Sequence, residues 1–276
     1  MYMRNKFSET IMAVFTWSAA IITIGTLVFI VCFILAKGIP YIKPSLFSLT
    51  YNSENVSLMP AMISTVIMTF TALAIAAPLG IFAAVYLVEY AKRGSKAVSL
   101  IRITTETLSG IPSIVYGLFG LLFFVTFLGW GFSVLAGAFT LAIMILPLII
   151  RSSEEALKSV PDTYREGAFG LGAGKLRTVF RIILPSAMPG ILAGIILSIG
   201  RIVGETAALI YTAGTVAQIP ANPMQSARTL SVHMYALSSE GLHTNEGYAT
   251  AVILLLVVVL INTASAKIAK RIGGIA

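Results

Sequence analysis

Charged residues are scarce in this chain: they make up 11% of its 276 residues, less than half of the roughly 25% common in soluble domains. Too few remain to cover a water-facing surface, and 57% of the residues are hydrophobic, with a mean hydropathy of +0.93. The chain therefore reads as one helical membrane domain with no room for a separate soluble one. Cysteine is nearly absent. The single thiol, Cys32, excludes an internal disulfide and offers no metal-ligand spacing, which leaves it as a packing residue in an apolar run. Only two histidines occur, His233 and His243, both in a polar stretch where surface positions are expected. No nucleophile–base pair and no metal-ligand cluster appears within the apolar runs, which argues against an intramembrane enzyme. No internal repeat is visible, so an inverted-repeat carrier gains no support.

What is present in quantity is apolar sequence of membrane length. A helix needs about 20 mostly apolar residues to cross a bilayer. Six such runs occur, at about 12–36, 61–88, 108–128, 133–150, 188–211 and 249–266. The expected fold class is an all-α membrane protein of six transmembrane helices. The first run is too long for the core of a signal peptide and lacks a cleavage pattern, so it is expected to be a retained span. The net charge of +8 would suggest nucleic acid if it were taken alone. Its placement says otherwise. With both termini in the cytoplasm, 15 of the 19 Lys and Arg residues fall inside, against Lys37, Lys43 and Arg228 outside and Arg201 within a run. This is the positive-inside asymmetry of membrane proteins.

The inside segment at about 152–187 contains Gly170-Leu171-Gly172-Ala173-Gly174-Lys175, which superficially suggests a phosphate-binding loop. That loop requires Gly, four residues, Gly-Lys and then Ser or Thr, after a strand. Here Phe169 and Leu176 occupy the two anchor positions and no buried strand precedes them. No ATP site is expected. The segment reads instead as two short helices broken at the glycines, with Asp162 near the first N-cap and Leu184-Pro185 ending the second. A short amphipathic helix of this kind fits a groove on a partner and follows its movement; a solvated basic connector is the alternative.

The fifth run carries the intramembrane charges Arg201 and Glu205. Arg201 lies 13 residues past Met188, about 20 Å along a helix at 1.5 Å per residue. An arginine near the centre of a span costs about 2.5–3.5 kcal/mol on insertion scales, so it needs a partner or a wet cavity. Projected at about 100° per residue, Ser198, Gly204, Glu205 and Thr212 share its face, while Ile195, Ile199, Ile202 and Ile210 lie opposite. Two readings follow. Arg201 and Glu205, four residues apart, pair with each other; or the guanidinium, helped by Ser198 and Thr212, meets an oxyanion in transit through two of its N–H groups, while Glu205 keeps the site from holding it too tightly. The third run adds a polar line of Glu106, Ser109, Ser113, Tyr116, Gly117 and Gly120, kinked at Pro112, and Ser113 is read with Arg201, Glu205, Ser198 and Thr212 as a pathway residue.

Three stretches resemble the phosphate-specific permeases of ABC importers. Glu166-Gly167-Ala168, three residues, Gly172, nine residues and Ile182-x-Leu184-Pro185 match the spacing of their EAA loop, with Gly167 where the family usually has Ala. Arg201-Ile-Val-Gly-Glu205-Thr206 is similar to their Arg-x-x-Gly-Glu-Thr segment, and Gly110-Ile-Pro-Ser113-Ile-Val-Tyr116-Gly117 is similar to a second stretch. The resemblance spans about 60–267 and is closer to the PstA type than to PstC. It implies a type I, MetI-like permease with residues 1–60 holding the first span and outer loop. Residues 61–267 then form the core, and the loop at 152–187 couples it to an ATPase. The implied cargo is inorganic phosphate, moved by alternating access through a pathway containing Arg201. The implied partners are a PstC-type permease, two copies of a PstB-type ATPase and an extracytoplasmic PstS-type binding protein in the bacterial plasma (inner) membrane. ATP and magnesium would sit on the ATPase, with no cofactor on this chain. The residues themselves leave open another oxyanion, such as sulfate or phosphonate, and an ATP-independent carrier or channel.

Overall fold

The computed structural model describes residues 6–92 and 94–273, and every regular element in them is helical. Arg4 and Arg93, two of the residues behind the inside charge, lie outside the described residues. Helix α1 is Lys6–Gly38, followed by short 3-10 turns at Ile39–Tyr41 and Pro44–Phe47. Helix α2, Met59–Val85, continues as a π-helical turn at Tyr86–Tyr90. Then come α3 (Lys96–Ser109), α4 (Ser113–Gly120, continued by a π-helical stretch to Phe127) and α5 (Val134–Ser159). Helix α6 is Asp162–Gly170, and α7, Lys175–Thr178, runs through a π turn at Val179–Ile183 into α8, Leu184–Val203. The last three are α9 (Ala207–Thr212), α10 (Leu230–Glu240) and α11 (Thr244–Gly273).

Among the described residues five helices are long and apolar enough to cross a membrane, and a sixth crossing requires α3 and α4 together, bent by 100°. This corrects the expected third span at 108–128. Pro112 has no N–H to continue α3, and the Tyr116 hydroxyl donates to the Leu108 carbonyl across the bend at 2.7 Å. The piece Ser113–Phe127 alone is about 22 Å long at 1.5 Å per residue, short of the roughly 30 Å hydrocarbon layer. The expected fifth span at 188–211 is also not one helix, since α8 stops at Val203 and α9 starts at Ala207.

Helix α5 is the axis of the bundle. Ser133 caps it by accepting from the Ala136 amide at 3.2 Å, and its apolar positions recur at helical spacing through Val134, Ala138, Leu141, Ile145 and Ile149. Three buried clusters stack along the bundle. An outer one joins Leu46, Leu58, Ala61, Leu230 and Ala249; a central one joins Met68, Ala72, Leu141, Ile145 and Leu209; an inner one joins Ala84, Leu157, Val179, Ile183 and Ile191. Helices α2 and α5 pass the central and inner clusters in the same order, so they run in the same direction. Helix α1 stands apart: its large apolar side chains are exposed over most of its length, and it meets α11 only near its end, where Phe33 and Tyr248 touch edge to face. Cys32, expected in packing, is exposed on this helix.

Candidate transport pathway and coupling segment

The break between α8 and α9 is built around Glu205. Its carboxylate accepts from the Ala208 amide at 3.0 Å, satisfying one of the free N–H groups at the start of α9. Its backbone carbonyl accepts from the Ser231 hydroxyl at 2.5 Å. Glu205 is thus 8% exposed and committed to holding the break. The continuous-helix projection that placed it beside Arg201 fails at this point, and so does the ion pair. Arg201, half-buried on the last turn of α8, has no hydrogen bond or ion pair among the described residues. It lies close enough to the Tyr116 phenol of α4 to act on it electrostatically.

The other residues read as pathway are distributed as follows. Ser198 and Thr212 are fully buried, and each hydroxyl donates within its own helix, to Gly194 at 2.9 Å and to Ala208 at 2.8 Å. In this conformation they turn to the backbone rather than toward a path. Ser113 is half-buried at the start of α4. The glycines of the same line serve packing. A Cβ at Gly117 would stand 2.8 Å from the Ala208 Cα, so glycine lets α4 close directly onto α9.

On the outer side the expectation for the histidines is corrected. His243 is partly exposed, but His233 in the first turn of α10 is completely buried. Tyr51 covers it edge to face, and the Arg228 guanidinium stacks on the same Tyr51 ring at 4.6 Å. Burial, reinforced by the Arg228 charge, lowers the pKa of His233 to about 3, so it is neutral. Val56, which follows Tyr51 in this covering loop, has φ +45, a left-handed conformation unusual for a β-branched residue.

The segment at 152–187 is shorter than expected, because α5 continues to Ser159. Its two-helix reading is correct: α6 and α7 are separated by a turn at Leu171–Gly174. Ala173 donates to Ala168 at 3.0 Å and Gly172 donates to Phe169 at 2.9 Å, which is a Schellman cap with Gly172 at φ +81. Asp162 opens α6 one position after Pro161. Leu184-Pro185 does not end the second helix. The π turn at Val179–Ile183 absorbs the missing proline N–H, and the chain remains helical into α8. Glu166, Gly167 and Pro185 are exposed, Ile182 and Leu184 half-buried, and Ala168 buried. The turn displays apolar side chains outward, with Leu171 at 91% and Leu176 at 66% exposure.

One residue of this segment was not foreseen. Arg165, beside Glu166, reaches Glu89 at the end of α2 at 2.7 Å. Seventy-six residues separate them, and no local spacing signals such a pair.

A membrane bundle that leaves the half-buried guanidinium of Arg201 without an ion pair among the described residues, and displays an apolar turn outside the bundle, has the parts of a transport subunit. The chain belongs to the family described as binding-protein-dependent transport system inner membrane component, which matches residues 76–273. It is a multi-pass protein of the bacterial plasma membrane. Within that family the likeness is to the PstA type. The chain is 32% identical over 275 residues to the phosphate transport system permease protein PstA of Pasteurella multocida, covering 94% of this chain and 93% of that one. It is 37% identical over 211 residues to PstA 1 of Mycobacterium tuberculosis (75% and 69% covered). It is 38% identical over 207 residues to the probable ABC transporter permease protein YqgI of Bacillus subtilis (68% and 70% covered). Among solved structures the fold is similar to a bacterial alginate ABC transporter, with a TM-score of 0.65 at 16% identity, covering 93% of this chain and 95% of that one. It is also similar to the MetNI methionine ABC transporter, with a TM-score of 0.60 at 20% identity and 78% and 94% covered. The architecture is that of a type I ABC importer permease.

Proposed function

We propose that this chain is one permease half of an ATP-driven importer that brings inorganic phosphate into the cytoplasm by alternating access. The observation that carries the cargo is Arg201, a half-buried guanidinium beside the α8–α9 break with no ion pair among the described residues, in a chain whose relatives are named phosphate permeases. A guanidinium grips a tetrahedral oxyanion through two oxygens at once. Glu205, held by the Ala208 amide, keeps its carboxylate off Arg201 and leaves that donor free for the anion.

The driving force comes from outside the chain. The exposed α6–α7 turn docks on a PstB-type ATPase, two copies of which hydrolyse ATP with magnesium below the membrane. A PstC-type permease completes the pathway, and a PstS-type binding protein delivers phosphate from the outer face. In this reading ATP is bound by the partner and not by this chain, which is supported by the Gly170–Lys175 stretch forming the cap and turn between two helices.

The test is Arg201→Gln in the assembled, reconstituted importer. Uptake of labelled phosphate should be lost while the subunits still co-purify and hydrolyse ATP. Uptake at the wild-type rate would remove Arg201 from the pathway. Competition by sulfate or phosphonate in the same vesicles separates phosphate from the other oxyanions.

A further inference from the structure

We propose that Glu89, on the π turn ending α2, is the contact through which the coupling segment moves the membrane helices. In this view the cytoplasmic ends of α2 and α5 swing with the segment as one body, about the level of Pro78 and Pro147. The inference rests on the reading that the α6–α7 segment docks on an ATPase.

The link is a saturated guanidinium. Arg165 Nε donates to Glu89 at 3.1 Å and Nη2 donates to Glu89 at 2.7 Å. The second Nη2 proton goes to the Leu157 carbonyl at 3.1 Å, and Nη1 serves the Val160 carbonyl at 2.9 Å and Asp162 at 3.1 Å. All five donors of the arginine are in use. The side chains of Arg165 and Glu89 are 16% and 7% exposed. One residue thus ties α6, the free carbonyls at the end of α5 and the end of α2. The second half of the coupling segment meets the same turn, where the Lys175 ammonium lies 4.9 Å over the Tyr90 ring.

A buried charge pair of this kind is costly to break by losing one partner, so it transmits displacement rather than absorbing it. The compliance lies further along. Pro78 and Pro147 each remove a backbone hydrogen bond within α2 and α5. Two residues on from them, Gly80 and Ile149 are in contact, a Cβ at Gly80 standing 2.6 Å from Ile149 Cγ2. Since α2 and α5 run the same way, the two prolines stand level with each other. Below that level the inner cluster, the clamp and the coupling segment are packed together; above it lies the central cluster.

The experiment uses the reconstituted complex in a Cys32→Ser background. Glu89→Ala should leave the ATPase subunit bound but sharply lower the phosphate imported per ATP hydrolysed, because the segment then moves without carrying α2 with it. A second pair, Tyr90→Cys with Lys175→Cys, is bridged by a short bifunctional thiol reagent. With Glu89 intact the bridge should leave transport unchanged, because the joined elements already move together. In the Glu89→Ala protein the bridge should restore the import ratio, which a purely structural role of Glu89 does not predict. A normal ratio in Glu89→Ala overturns the proposal. So does a bridge that stops transport with Glu89 intact, measured against the same double-cysteine protein before bridging. If the wild-type chain binds no ATPase at all, the docking reading fails instead.

Discussion

Gly172 offers a test of the coupling turn that separates backbone conformation from side-chain contact. Its φ of +81 lies in the left-handed region, and no atom stands within 4 Å of a Cβ built there. A substitution therefore meets no clash, and its whole cost is backbone. For an L-residue the left-handed conformation costs about 1–2 kcal/mol. That is a factor of roughly 5–30 against the Schellman turn, whose bonds from Ala173 to Ala168 and from Gly172 to Phe169 set the angle between α6 and α7. Gly172→Ala should weaken binding of the purified ATPase by about that factor, measured by titration against the reconstituted permease. Thermal unfolding should hardly move, because the turn is exposed. Gly172→Asn tolerates the left-handed region better and should fall between alanine and wild type. Wild-type binding in both variants would show that the turn conformation does not matter. Equal losses in both would refute the backbone argument and point to contact made at the glycine itself.

Other outcomes follow from the same structure. Gly117→Ala drives a methyl into the Ala208 backbone and should cost about 1–3 kcal/mol as overpacking, read as a lower thermal midpoint; an unchanged midpoint would mean that α4 and α9 do not pack this closely. His233 is neutral in the fold because its pKa is depressed from 6.5 to about 3. The unfolded chain takes up the proton first, so stability is kept above about pH 6.5 and lost as pH falls toward 3. The loss at pH 5 is roughly 2 kcal/mol by linkage. His233→Phe should flatten this acid dependence, and identical acid-unfolding curves would refute the assignment.

The apolar runs made the all-helical membrane fold class and five of the crossings readable, because membrane length is a property of composition, whereas the third run became a pair of helices bent at Pro112. The glycines of the coupling segment were readable as a break for the same local reason. Where the reading failed, the cause was distant. Gly204 inside a helix costs only about 1 kcal/mol, so the periodic pattern ran through it. What ends α8 is the Glu205 carboxylate capping α9 and Ser231 binding from 26 residues away. Pro185 looked like a stop, but the preceding π turn makes room for it. His233 looked exposed in a polar stretch, and is buried because Tyr51, far earlier in the chain, folds over it. The Arg165–Glu89 clamp joins α6 to the end of α2, two helical pieces that nothing in their own neighbourhoods connects.

The apartness of α1 has a practical consequence. The one thiol of the chain rides on that helix and is open on its surface. A membrane-permeant thiol reagent should therefore attach a single probe per molecule without any engineered cysteine. Its labelling rate would report what comes to lie against α1 as the chain meets lipid, detergent or another subunit.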